Sequence, residues 1–234
     1  MKAVIVLCVL AVSGALASES CYNDVELDCS QFSNTLDGVY LKRCNAKYGE
    51  YGAHGAVAGE MKAFANLYLK RSYDYLLTSA FYNNYENNRV GFSKLFRKMS
   101  DEAWDKTIDI IKHVTMRGDA HDFAQLSTQK SMEGKNYTAE IRELEAIAKA
   151  LDTQKELAER AFFIHREATR NSQHLHDPEV AQYLEEEFIE DQAKKIRDLA
   201  GHTNDLKRFI TLNNGQDLSL ALYLFDEYLQ KTVI

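Results

Sequence analysis

Proline occurs once and glycine 11 times in 234 residues, so together they make up roughly 5% of the chain where about 12% is usual. So few turn residues argue against a β-sandwich or barrel and for a small number of long helices. Positive charge is also in short supply. The 28 Lys and Arg are outnumbered by 35 Asp and Glu, giving a net charge of −7, the opposite of the basic stripe that nucleic-acid binding needs. Beyond the first residues no apolar run reaches membrane-spanning length, so neither nucleic acid nor membrane is an expected partner. What is present is 45% hydrophobic and 27% charged residues, which excludes a disordered chain and suits one domain with a sizeable core.

The chain opens with Met1-Lys2, an apolar run from Ala3 to Val12, then Ser13-Gly14 and the small-residue step Ala15-Leu16-Ala17. A charged start, a short apolar stretch and an A-x-A step make residues 1–17 a signal peptide, which implies a secreted protein. Cleavage removes Lys2 as its only charge, leaving 27 − 35 = −8. Cys8 leaves with it, and Cys21, Cys29 and Cys44 remain in an irregular segment, 18–50. In an oxidising compartment three cysteines cannot all pair within one chain, so one intrachain bridge and one link to a partner is the natural arrangement. Neither a CxxC nor a paired-histidine motif accompanies them, which argues against zinc.

From residue 51 to 234 the pattern is helical. Val57, Met61, Phe64, Leu67, Tyr68, Tyr75, Leu76 and Ser79 recur at helical spacing over about 53–85, and Asn83 to Asn88 breaks the run. A second helix over about 90–116 carries Phe92, Leu95, Phe96, Met99, Ala103, Ile110 and Val114 on its apolar side. A long polar connection to Tyr137 follows, and it contains the glycosylation sequon Asn136-Tyr-Thr138. A third helix begins near Thr138. Asp177-Pro178-Glu179 is a strong start for a fourth, with a capping acid, proline in the first turn and a further acid. Leu218 to Leu229 reads as a short fifth helix, apolar on most sides. Two short connections and one long crossover between four long helices give an all-α bundle of ferritin-like topology. A secreted signalling or carrier bundle without a metal role fits the same outline.

Particular segments carry more. Asn66-Leu-Tyr-Leu-Lys-Arg-Ser-Tyr-Asp-Tyr-Leu76 resembles the first helix of ferritin subunits, Arg117-Gly118 the end of the second, and Asp177-Pro178 with Gln192 and Gly201 to Lys207 the fourth. Tyr223-Leu-Phe-Asp226 resembles the short fifth helix. The signal peptide and cysteine-bearing extension are similar to those of secreted insect ferritins. The resemblance implies iron as cargo and a 24-subunit shell shared with a heavy-type ferritin subunit, which would be disulfide-linked to this chain. It also implies which type of subunit this is. Heavy-type subunits oxidise Fe²⁺ with inward carboxylates and a Glu-x-x-His motif, and no Glu-x-x-His occurs here. Tyr68, Ala103, Lys106 and Gln154 stand where ligands are expected, while Tyr75 and Gln192 match supporting groups. Lys106 would repel a ferrous ion and pair with a nearby carboxylate instead.

The resemblance therefore implies a light-type, non-enzymatic subunit with no ferroxidase centre. Asp101, Glu102 and Asp105 correspond to the acidic patch on which such subunits seed ferric mineral; their hard oxygens suit ferric iron. The alternative for these three is an ordinary solvated cluster following Ser100. Lys98 replaces an acid at the patch's edge. Glu185 matches one acid of the three-fold channel, but Gln182 stands where an Asp is usual, which weakens that entry path. His174 and His176, beside Asp177, read as a solvated loop pair.

Overall fold

A computed structural model of the protein describes residues 46–48, 56–121, 143–170, 176–212 and 216–232, and all regular structure among them is helical. The helices are α1 (Ala56–Tyr82), α2 (Val90–Met116) and α3 (Glu143–Ala168). Helix α4 is built from Pro178–Leu184, a π-helical turn Glu185–Ile189, and Glu190–Leu212. Helix α5 is Gln216–Thr232. Among the described residues no helix is long and apolar enough to cross a membrane.

Each long helix buries one stripe. On α1 the stripe is Val57, Met61, Phe64, Tyr68, Ser72, Tyr75, Ser79 and Tyr82, and on α2 it is Phe92, Phe96, Met99, Ala103, Thr107, Ile110 and Val114. Steps of three and four residues keep these side chains on one face. Leu76, expected in the α1 core, is 36% exposed. Ser79 is buried on that line as expected, and Ser72 joins it. Their small size lets α1 and α2 approach closely, and the seam is hydrogen-bonded: Ser79 Oγ donates to Ser93 O and Ser100 Oγ to Ser72 O, both at 2.8 Å. The tight turn between them needs left-handed backbone at Asn88 (φ 47°), a conformation asparagine tolerates.

Two contacts fix the topology. Arg89, at the turn joining α1 to α2, bonds Glu143 at the start of α3 at 3.1 Å. The far end of α2 meets the start of α4 through Arg117 and Asp177. The end of α2 and the start of α3 therefore lie at opposite ends of the bundle, about 40 Å apart for 27 helical residues. That placement of the two ends is what the long crossover expected from the sequence requires. Asp177 caps α4 as expected, accepting from Val180 N at 3.3 Å with Pro178 next in line. The π turn inside α4 was not expected; it buries Phe188 while leaving Glu185, Glu186 and Glu187 exposed.

Helix α5 is longer than its sequence suggested and is two-faced. Phe225 and Leu229 are buried, whereas Leu220, Tyr223, Leu224 and Tyr228 are at least half exposed. It lies on the first turn of α2. Arg89, at the N-cap of α2, makes no side-chain cap, and Asp226 of α5 supplies one from afar, accepting from Phe92 N at 3.0 Å. Gly91 makes this possible, because a Cβ there would sit 2.0 Å from the Asp226 carbonyl oxygen.

Candidate functional site

Two apolar clusters fill the bundle. One centres on Phe64, Ile110, Leu157 and Phe188, the other on Tyr82, Phe96, Ile147 and Leu206. Tyr68 belongs to the first cluster and Tyr75 to the second, two helical turns apart on one face of α1. Each phenol is answered from across the bundle by an amide. Gln192 Nε2 donates to Tyr68 Oη at 2.7 Å, and Gln154 Nε2 donates to Tyr75 Oη at 2.9 Å. All four side chains are at least 95% buried. Burial pushes both phenols well above their ordinary titration range, and the amide bonds offset only part of that. Both therefore stay protonated and are poor ligands for a metal. Gln154 Oε1 and Gln192 Oε1 are buried without a partner. Ala103 packs in the same core. Lys106 Nζ reaches outward to Glu187 Oε2 at 2.9 Å and lies 5.1 Å above the Phe188 ring, so the expected ion pair is present. Among the described residues no group of three or more His, Cys, Asp or Glu side chains is placed to hold a metal ion.

The outward face of α2 carries the predicted acids. Asp101 and Asp105 are exposed and Glu102 is partly so. They are not equivalent. Arg97 grips Asp101 with both prongs of its fork, Nη2 to Oδ1 at 2.9 Å and Nε to Oδ2 at 3.0 Å. Glu102 is held by Lys195 of α4 at 2.9 Å, and Lys195 also meets Asp191 at 2.8 Å. Asp105 has no hydrogen-bond or ion-pair partner among the described residues, which leaves its oxygens open to solvent cations.

Glu185 is exposed on the π turn, where His165 of α3 contacts it at 2.6 Å. Sequence reasoning missed that histidine, which stands 20 residues from its partner. Gln182 donates to Glu186 at 2.8 Å. His176 is exposed. His174, Cys21, Cys29, Cys44, Asn136 and residues 1–17 lie outside the described residues.

A buried cluster at the α2–α4 corner was also missed. Arg117, 1% exposed, bonds Asp177 Oδ2 at 2.6 Å and Oδ1 at 3.3 Å, contacts Glu179, and stacks 4.2 Å from the Tyr48 ring centroid. Its Nη2 also donates to Tyr48 O at 3.3 Å. Next to it Gly118 adopts φ +84°, and a Cβ there would come within 2.8 Å of the Ala46 carbonyl carbon. Asp119 then receives Lys62 at 2.9 Å and Lys47 at 3.9 Å. Residues 46–48, which precede α1, are thus clamped onto the end of α2. His113 stacks on Tyr183 at 4.0 Å and contacts Glu179 at 2.8 Å.

Comparison with known proteins gives this arrangement a family. Residues 63–209 match the ferritin-like domain. The chain is 74% identical to a ferritin light chain of Trichoplusia ni, over 97% of this chain and 96% of that one. It is 38% identical to a ferritin light chain of Drosophila melanogaster, over 99% of this chain and all of the other. The crystal structure of Trichoplusia ni secreted ferritin superposes with a TM-score of 0.80 at 75% identity, covering 91% of this chain and 99% of that one. The destination read from the leader agrees with that relative's. The chain belongs to the ferritin family, as a secreted iron-storage subunit similar to light chains.

Proposed function

We propose that this is the non-oxidising, light-type subunit of a secreted shell of 24 chains, which builds the shell and seeds ferric mineral while a heavy-type partner oxidises Fe²⁺. The observation that carries the reading is the neutral Tyr68–Gln192 and Tyr75–Gln154 lattice between the two core clusters. Iron oxidation there would need two metal ions held by inward carboxylates and imidazoles. This chain offers protonated phenols and amides at Tyr68, Gln154 and Gln192, a methyl group at Ala103, and an ammonium already committed to Glu187 at Lys106. Ferric iron delivered by the partner is gathered at Asp101, Glu102 and Asp105, where Asp105 acts first because no cation holds it. Glu185 lines a channel of reduced negative charge.

In the same reading residues 1–17 are the signal peptide, 18–50 the cysteine-bearing extension and 51–234 the bundle. One of Cys21, Cys29 and Cys44 joins the partner subunit, and Asn136 carries a glycan. The test replaces Asp101, Glu102 and Asp105 together by Ala in shells mixed with an oxidising partner. Exposed like charges contribute within about ±0.5 kcal/mol to folding, so assembly and heat stability should persist while core growth, followed by absorbance, slows. An unaltered growth curve makes the three residues an ordinary solvated cluster.

A further inference from the structure

A pocket of about 370 Å³ opens between α1 and α3. The two helices are antiparallel there, since Arg71 pairs with Glu156 and Arg89 with Glu143, and the lining sorts along their axis. Leu77, Phe81, Phe96 and Ala146 make one end apolar, whereas Arg71, Asp74 and Thr153 make the other polar. Most hydrogen bonds at the polar end are already taken. Arg71 Nη1 donates to Asp74 Oδ2 at 3.1 Å and Nη2 to Glu156 Oε2 at 2.5 Å. Thr78 Oγ1 donates to Asp74 O at 2.9 Å, Thr153 Oγ1 to Lys149 O at 2.8 Å, and Tyr75 Oη is engaged by Gln154. Arg71 Nε is left over, a buried donor with no acceptor among the described residues. We infer that this pocket binds an uncharged lipophile bearing one carbonyl, such as a ketone or an ester, with its apolar body toward Phe81 and its oxygen accepting from Arg71 Nε.

Size, polarity and charge each narrow the class of guest. The volume lies in the range of small-molecule pockets, about 300–1,000 Å³, and the apolar end favours a hydrocarbon or aromatic body that displaces water. The charge is already balanced: Arg71 and Lys149 line the pocket with Asp74, and Glu156 stands beside them on Arg71. A carboxylate would therefore bring a third negative charge to one guanidinium. A carbonyl oxygen answers the orphaned N–H without that penalty, and a plain hydrocarbon leaves it unanswered. The thiol-free, metal-free lining of this pocket shares no residue with Asp101, Glu102 and Asp105, so the inference stands apart from the mineral-seeding reading.

Prodan, a neutral naphthyl ketone whose emission moves to the blue on leaving water, is a suitable probe. Titrated into assembled shells of the native chain, it should give a saturable blue-shifted signal. Two relatives, measured by displacement of the ketone, test the class of guest. The analogue with CH₂ in place of the carbonyl should bind about tenfold more weakly, the worth of one hydrogen bond from a charged donor, and the corresponding naphthoate should also bind more weakly than the ketone. R71M keeps the apolar stem and removes the donor, so it should weaken the ketone about tenfold and leave the CH₂ analogue unchanged. A150L places a larger side chain in the lining and should abolish binding of both. If either variant fails to assemble, the ketone and CH₂ analogue still decide the matter on the native chain. Equal affinity for those two overturns the inference, and so does tighter binding of the naphthoate than of the ketone. An A150L isotherm that superimposes on the native one puts the probe on another surface and overturns it as well.

Discussion

Replacing Arg117 with methionine should loosen one corner of the bundle without unfolding the rest. The guanidinium is 1% exposed and Asp177, its main partner, 4%. The change therefore strands a buried carboxylate rather than removing a solvated pair. Truncating one partner of a buried, hydrogen-bonded ion pair costs about 3–5 kcal/mol. Glu179, 41% exposed, adds little because water screens it. Methionine keeps most of the apolar stem, so the packing loss is small. If opening of the corner breaks this pair, about 3 kcal/mol corresponds to roughly a hundredfold faster amide exchange. The assay is hydrogen exchange by mass spectrometry on the assembled protein, read at Val180 and Ala181 in the first turn of α4, with peptides from α3 as the unaffected reference. D177N removes the stranded charge yet can still accept from Val180 N, so R117M/D177N should recover most of the loss. Exchange in R117M within about fivefold of native, equivalent to under about 1 kcal/mol, would refute the assignment of this pair as the corner's main tie.

Shells made of this chain alone should oxidise Fe²⁺ at the uncatalysed rate in stopped-flow measurements; a fast, saturable phase would contradict the proposed absence of an oxidation centre. Non-reducing electrophoresis should show a heterodimer band that reduction removes, with Cys21 the first residue to replace, whereas only monomers would exclude a covalent partner. Burial alone would raise the Asp119 carboxyl, but bonds from Lys62 and the Ala120 N–H, with the charges of Lys62 and Lys47, bring it below its ordinary value of 3.8. Its stabilising contribution is therefore complete above that value and fades as pH falls through it toward the folded-state value. The heat-stability gap between native and D119N should accordingly narrow below pH 3.8; a gap that persists unchanged in stronger acid would refute this.

Much of the architecture was legible because helical spacing and caps are local. The α2 stripe from Phe92 to Val114 and the Asp177-Pro178 start both depend on residues within a turn or two of one another. Leu76 was misplaced for a related reason. Spacing placed Ser79 on the helix face, but not that Ser72 joins it on the core line so that α1 and α2 can close on each other. The site divides in the same way. The acids one turn apart on α2 could be read from the sequence, and so could the fate of Lys106 as an ion-pair donor. The partners that set each acid's availability could not all be read: Lys195 reaches Glu102 from another helix, and His165 reaches Glu185 across the α3–α4 pair. The π turn left no trace in the apolar pattern that distinguishes it from ordinary helix.

The cap that α5 places on α2 has a consequence for the order in which the chain can be completed. Asp226 and Phe92 are 134 residues apart. While the polypeptide is being made, the first turn of α2 therefore exists for most of synthesis with its Phe92 N–H unanswered. The α1–α2 hairpin can form early from its own serine seam, but its open end is finished only when the last helix arrives. Closing so long a loop is slow compared with pairing neighbouring helices. A chain stopped short of Asp226 would thus lose more than its final segment: the second helix would fray from its beginning, and with it Phe92 and Phe96, whose rings pack against Tyr82. Quality control in the secretory pathway would meet such a chain as a hairpin with one loosened end rather than as a finished bundle lacking an ornament.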